Sequence, residues 1–178
     1  IEGVFRHMPP DSGLAFVIVA HLAPNKVSVL HEIIGRFTTM PVQQVQDGMV
    51  AEANRVYVGA PDRALTLEKG RLKSEEPTHH LRVAHPIDLF FSSLAADRND
   101  HAIGIVLSGG GSDGTLGIKA IKEAGGLTLA QGSDHSAPRH DSMPASAIAT
   151  GLVDIIAPAE EIGAKLVAYL QNFVPRSE

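Results

Sequence analysis

Apolar positions along the chain fall into short continuous runs separated by stretches with helical spacing, and that alternation sets the expected architecture. Ala15 to Ala20 and Ile103 to Leu107 are apolar runs rich in β-branched side chains, the pattern of strands covered on both faces in a parallel sheet. The first is expected to be a central strand. Leu127 to Ala130 and Val153 to Ile156 read as further strands, and Val42 to Val45 as a short one. Helical spacing marks the segments between them. Ile1, Val4, Phe5 and Met8 follow i, i+3, i+4, i+7 up to Pro9-Pro10, and Leu30, Ile33, Ile34 and Phe37 stripe Val27 to Phe37. Pro86 precedes Ile87, Phe90, Phe91 and Leu94 where a first helical turn tolerates proline, and Ile118, Ile121 and Ala124 predict the next helix. A short helix is expected from Pro144. The last starts near Pro158, with Glu160 and Glu161 at the positive end of its dipole and Ile162, Leu166, Tyr169, Leu170 and Phe173 inward. Arg55 to Val58 reads as a strand closed by Gly59-Ala60-Pro61, after which Leu65 and Leu67 alternate towards Lys69-Gly70 and Leu72. The expected fold is α/β: a doubly wound, mostly parallel sheet flanked by helices, with one antiparallel β-hairpin, as a single domain over residues 1–178.

Composition narrows the function classes. A chain of 178 residues, 44% hydrophobic and 20% charged, can bury one sizeable core. Its net charge of -5, with no Lys/Arg cluster interleaved with aromatics, gives a phosphate backbone nothing to bind, so no nucleic acid partner is expected. The lack of cysteine removes disulfides, thiolate metal sites and Cys nucleophiles together, and fits a reducing, cytoplasmic setting. The longest apolar stretch, around Phe16 to Leu22, falls far short of the roughly 18 residues of a membrane span, so no membrane insertion is expected. The first helical pattern opens at Ile1 with no capping residue before it. In alternating α/β chains such a helix follows a strand and its loop, so a domain truncated at its N-terminus is expected.

In open parallel sheets, functional groups gather beyond the carboxyl ends of the strands. His21 closes the first apolar run, and Asp113 sits in the glycine loop Ser108-Gly109-Gly110-Gly111-Ser112-Asp113-Gly114 after the run Ile103 to Leu107. A histidine and a carboxylate so placed can form the base and its orienting partner in a hydrolytic triad. No nucleophile is obvious. Asp113 and Ser112 also stand where short polar side chains cap a following helix. Gly109, Gly111 and Gly114 match G-x-G-x-x-G between a strand and a helix, the context of a nucleotide site. That reading lacks an acidic residue at the end of the next strand, and Asp113 would turn negative charge towards a phosphate. His79, His80 and His85 invite a zinc reading, but their spacing does not set all three on one helix; we read that loop as solvated and expect no metal. Ser108, Ser112 and Ser142, paired with His135 or His140, occupy no strand-turn-helix elbow and make poor substitute nucleophiles.

Four segments, in order, resemble the motifs of the CheB-type chemoreceptor methylesterase catalytic domain: Ile18-Val19-Ala20-His21-Leu22, Val56-Tyr57-Val58-Gly59-Ala60-Pro61, Leu107 through Gly114, and Met143-Pro144. The resemblance spans nearly the whole chain. Met8 to Phe16 is most similar to versions fused to a CheR-type methyltransferase. It implies a doubly wound α/β hydrolase that cleaves γ-glutamyl methyl esters on receptor signalling helices, with glutamine deamidation in some members, and no cofactor. The implied partner is a methylated chemoreceptor or receptor-like signalling protein, and a CheR-type methyltransferase or a receiver domain is the implied fusion.

The resemblance further implies a Ser-His-Asp triad in which His21 and Asp113 match the histidine and aspartate. The serine then lies in a glycine-rich turn a few residues before Ile1. The resemblance also implies that the backbone N–H near Gly110 helps bind the oxyanion. Two positions depart from the family pattern: Ala20 stands where glutamine is common, and Gly110 where methionine is frequent. A rival from another class is a non-catalytic regulatory or scaffold module of a multidomain sensor. Met143-Pro144 is read as a helix start packed beside the site.

Overall fold

The computed structural model describes residues 1–20, 24–76, 84–132 and 141–173, and no side chain of residues 24–28. In chain order the elements are α1 (Glu2–Arg6), β1 (Ala15–Ile18), α2 (Pro24–Gly35), β2 (Val42–Gln44), β3 (Met49–Val50), β4 (Arg55–Val58), β5 (Ala64–Glu68) and β6 (Arg71–Glu75). They continue as α3 (Pro86–Arg98), a 3-10 turn at Asn99–His101, β7 (Ile103–Val106), α4 (Thr115–Glu123), β8 (Leu127–Gln131), α5 (Ser142–Ala149), β9 (Ile155–Ala157) and α6 (Ala159–Gln171).

The strands join in three groups: β1-β4-β2 and β7-β8-β9, both parallel, and the antiparallel β3-β6-β5. The two parallel groups share packing partners on both faces, as halves of one layer do. On one side, Val4 and Met8 pack with Leu127 and Leu129 of β8 and with Ile162 and Leu166 of α6, while Phe5 packs with Ile18, Val56 and Val58. Helix α1 therefore straddles both halves. On the other side, Phe90 and Phe91 of α3 and Ile118 and Ile121 of α4 share a cluster with Tyr57 of β4 and Val106 of β7. Tyr57 is fully buried, and its hydroxyl donates to the Val50 carbonyl at 3.0 Å and accepts from the Glu52 N–H at 2.8 Å, which ties the antiparallel group to the layer.

Between the halves, β1 pairs only with β4 and β7 only with β8 among the described residues. A cleft of about 360 Å³ separates them, lined by Phe16 and Val17 of β1, Ile103 and Ile105 of β7, Phe91 of α3 and Leu166 of α6. It therefore passes through the layer from one helical face to the other. The carbonyls of Leu14 and Ile18 accept from Asn54 and Gly59, and that of Ala102 from Leu127. Peptide groups alternate in direction along a strand, so those of Ala15, Val17, Ile103 and Ile105 face the cleft.

The fold class matches the sequence expectation, with local differences. The run Ala15 to Ala20 forms a strand only to Ile18; among the described residues it pairs with β4 on one side and faces the cleft at the middle of the layer on the other. The expected hairpin gains a third strand, β3, whose two residues are too few to show alternation. Helix α1 ends at Arg6, with Met8 buried beyond it, while α2 begins at Pro24 and α5 at Ser142, each ahead of its expected start.

Candidate active site

The loop from β7 to α4 carries three splints. The Gly109 carbonyl accepts from the Met143 N–H at 3.0 Å, Ser142 Oγ accepts from the Gly111 N–H at 3.0 Å, and Gln131 Oε1 accepts from the Ser108 N–H at 2.9 Å. The Gly110 N–H takes no partner among the described residues, and open space surrounds that glycine. Gly114 closes the loop at φ +94, a left-handed conformation that favours glycine.

Asp113 is buried, 3% exposed. Its carboxylate accepts from the N–H groups of Ile87 (2.9 Å), Asp88 (2.8 Å) and Gly114 (2.8 Å). The first two belong to the opening turn of α3, so the carboxylate meets the positive end of that 13-residue helix. The capping expected of Asp113 is thus real but aimed across the structure, at α3 rather than solely at the helix that follows it.

Asp88 is the residue that sequence reasoning missed. Its Oδ1 accepts from Gly114 (3.0 Å) and Gly117 (2.8 Å), the opening of α4. Burial is the main cause that holds its carboxyl above the usual aspartate range; the Gly117 N–H opposes this, Asp113 adds to it, and Gly114 and His85 oppose it. In sequence, an aspartate two residues after a helix-starting proline carries only the ordinary signal of a first-turn acid. His85, Asp88 and Asp113 bring possible ligand atoms within 4.8 Å of one another. Within this cluster, backbone N–H groups bond both Asp113 oxygens and Asp88 Oδ1.

Among the other sequence candidates, His21, His79, His80, His135 and His140 lie outside the described residues. Ser108 and Ser112 are exposed on the glycine loop, and Ser142 is occupied as its brace. Met143 is buried against Gly109, where a Cβ would come within 2.8 Å of its methyl group, in keeping with the packing role expected of it. No described helix is long and apolar enough to cross a membrane.

Comparison with known proteins places this geometry in context. A family model described as CheB methylesterase matches residues 1–166. An uncharacterized 104.1 kDa protein of Rhodobacter capsulatus is 43% identical over 138 residues, which cover 78% of this chain and 14% of that protein. A protein-glutamate methylesterase/protein-glutamine glutaminase of Geobacillus kaustophilus is 32% identical over 171 residues, 94% of this chain and 49% of the relative. The chain thus spans half or less of these relatives. The crystal structure of the Thermotoga maritima CheB methylesterase catalytic domain superposes with a TM-score of 0.80 at 24% identity, covering 94% of this chain and 89% of that one, and confirms the fold.

Proposed function

Because the chain belongs to the CheB methylesterase family, we propose that it forms the catalytic domain of a protein-glutamate methylesterase that acts on methylated chemoreceptors or receptor-like signalling proteins, with glutamine deamidation as a companion activity. The observation that carries this reading is Asp113: a buried carboxylate that accepts from three backbone N–H groups, beside a braced glycine loop whose Gly110 N–H has no partner among the described residues, beyond the carboxyl end of a strand. Asp113 orients the imidazole of His21 and stabilises its transient positive charge. His21 takes the proton of a serine hydroxyl as that oxygen attacks the ester carbonyl, and the Gly110 N–H donates to the oxyanion. Collapse breaks the ester bond, and methanol leaves with the proton from His21. Water then hydrolyses the acyl-enzyme by the same route and frees the glutamate side chain.

The serine is assigned to a turn preceding Ile1, and the cleft between β1 and β7 supports that placement. A parallel strand in this cleft would meet the peptide groups of Ala15, Val17, Ile103 and Ile105. It would reach β1 through α1 as a right-handed crossover, and its turn would open at the point where strand order reverses. On this reading residues 1–178 are one domain completed by an upstream strand, in a polypeptide that carries a CheR-type methyltransferase or a receiver domain. The absence of cysteine suits a cytoplasmic location.

The test is methanol release from a methyl-esterified receptor by the full-length polypeptide. Activity is expected in the wild type and is expected to vanish in His21→Ala and in a variant of the upstream serine. Undiminished release by His21→Ala would sink the assignment. An encoded upstream turn without a serine would favour the scaffold alternative.

A further inference from the structure

We propose that Asp88 is a positioning residue for Asp113, because the two aspartates cap each other's helices and are locked together through one shared N–H. The proposal rests on the triad reading above, and it assigns a role to a side chain that the triad does not use.

The geometry is reciprocal. Asp113 precedes α4, yet its carboxylate satisfies the Ile87 and Asp88 N–H groups at the start of α3; Asp88 sits in the first turn of α3, yet its carboxylate satisfies the Gly114 and Gly117 N–H groups at the start of α4. Neither helix has a side-chain cap from its own N-cap residue, His85 or Gly114. Each N-terminus would leave orphan donors without the other's aspartate. The Gly114 N–H points at both carboxylates, 2.8 Å from Asp113 Oδ1 and 3.0 Å from Asp88 Oδ1.

Close packing keeps the helices at this separation. A Cβ on Gly117 would approach the Phe91 Cβ to 2.5 Å, so α3 and α4 touch where only glycine fits. Asp88 therefore fixes the residue that follows Asp113, and with it the direction in which the Asp113 carboxylate faces. It also sets a second negative charge beside the first. The titratable groups that face Asp88 among the described residues are Asp113 from the glycine loop and His85 at the start of its own helix. A second carboxylate favours the protonated imidazole of the base in the triad, which raises the pH at which the base turns on.

The test compares Asp88→Asn and Asp88→Ala in the full-length polypeptide, by kcat and KM for ester hydrolysis across pH. Asn keeps an oxygen for Gly114 and Gly117 but removes the charge. The acid limb of kcat/KM is expected to move down by on the order of half a pH unit, with the plateau within tenfold of wild type. Ala removes charge and acceptor together, and kcat is expected to fall about 10- to 100-fold with KM unchanged, the cost of a slightly misplaced catalytic group. An acid limb that stays at its wild-type pH in Asp88→Asn would overturn the proposal, since a purely structural cap would alter stability alone. Amide exchange at Gly114 and Gly117 needs no activity: it is expected to accelerate in Asp88→Ala and stay slow in Asp88→Asn. Slow exchange in both would remove the crossed cap whatever reaction the site performs. Absence of esterase activity in the wild type would instead count against the triad reading.

Discussion

Two aspartate clusters at opposite rims of the parallel layer do similar work with opposite electrostatics. Asp113 and Asp88 lie beyond the carboxyl end of β7, where each takes backbone N–H groups and each has the other for a neighbour. Asp154 lies at the amino rim, just before β9. Its Oδ2 accepts from the Thr128 N–H at 3.1 Å, and its other oxygen bonds Lys122. Its own N–H meets Thr128 Oγ1 at 3.0 Å, and that hydroxyl lies 2.6 Å from the Leu152 carbonyl. Burial pushes the Asp154 carboxyl upward, but Lys122 and the Thr128 N–H outweigh it and hold the group below the usual aspartate range. Asp88 is held above that range. At the amino rim Asp154 is matched with the opposite charge of Lys122, whereas at the carboxyl rim Asp88 and Asp113 stand as like charges and Asp88 is raised in part by Asp113. Neighbouring like charges of this kind are common where a site's chemistry needs shifted pKa values.

The comparison can be broken most directly at Asp113. Asp113→Asn in the full-length polypeptide is expected to lower ester hydrolysis by about 10⁴-fold, read as methanol release, while Asp154→Asn leaves the rate within twofold. Equal losses would erase the distinction between the rims. On stability, Asp154→Ala is expected to cost about 1–3 kcal/mol, measured as a lowered urea midpoint at neutral pH.

The pH dependence sharpens the contrast because the two shifts have opposite signs. Asp154 is depressed in the folded state, so its contribution is present above the unfolded aspartate pKa and is lost as pH falls through the folded value. The urea midpoints of wild type and Asp154→Ala should therefore converge in acid. Asp88 is raised, so its contribution is present below the unfolded pKa and is lost as pH rises through the folded value. Asp88→Asn should accordingly gain on wild type as pH rises from 3 to 6, on the scale of ordinary aspartate titration. Convergence of both variants in the same direction would show that the charges are not arranged as described. The smallest effect is expected at Lys122→Met, about 0.5 kcal/mol, because the lysine side chain is 42% exposed and solvent screens it.

The sequence carried some of this and hid the rest for identifiable reasons. The strands β7 and β8 and the helix α6 were legible because continuous apolar runs and i, i+3, i+4 stripes report burial directly. Asp113 stood out as a candidate from its place after a strand. Asp88 did not, since the N–H groups it satisfies belong to a helix nearly 30 positions away, and no local pattern encodes such a pairing.

The cleft through the layer has a consequence for handling as well as for catalysis. Peptide groups along its two walls form a ready template for any extended chain, and flanking apolar side chains such as Phe16 and Ile105 reward its insertion. Residues 1–178 on their own should therefore self-associate as concentration rises, by strand borrowing between copies, and a soluble peptide that seats in the groove should suppress it.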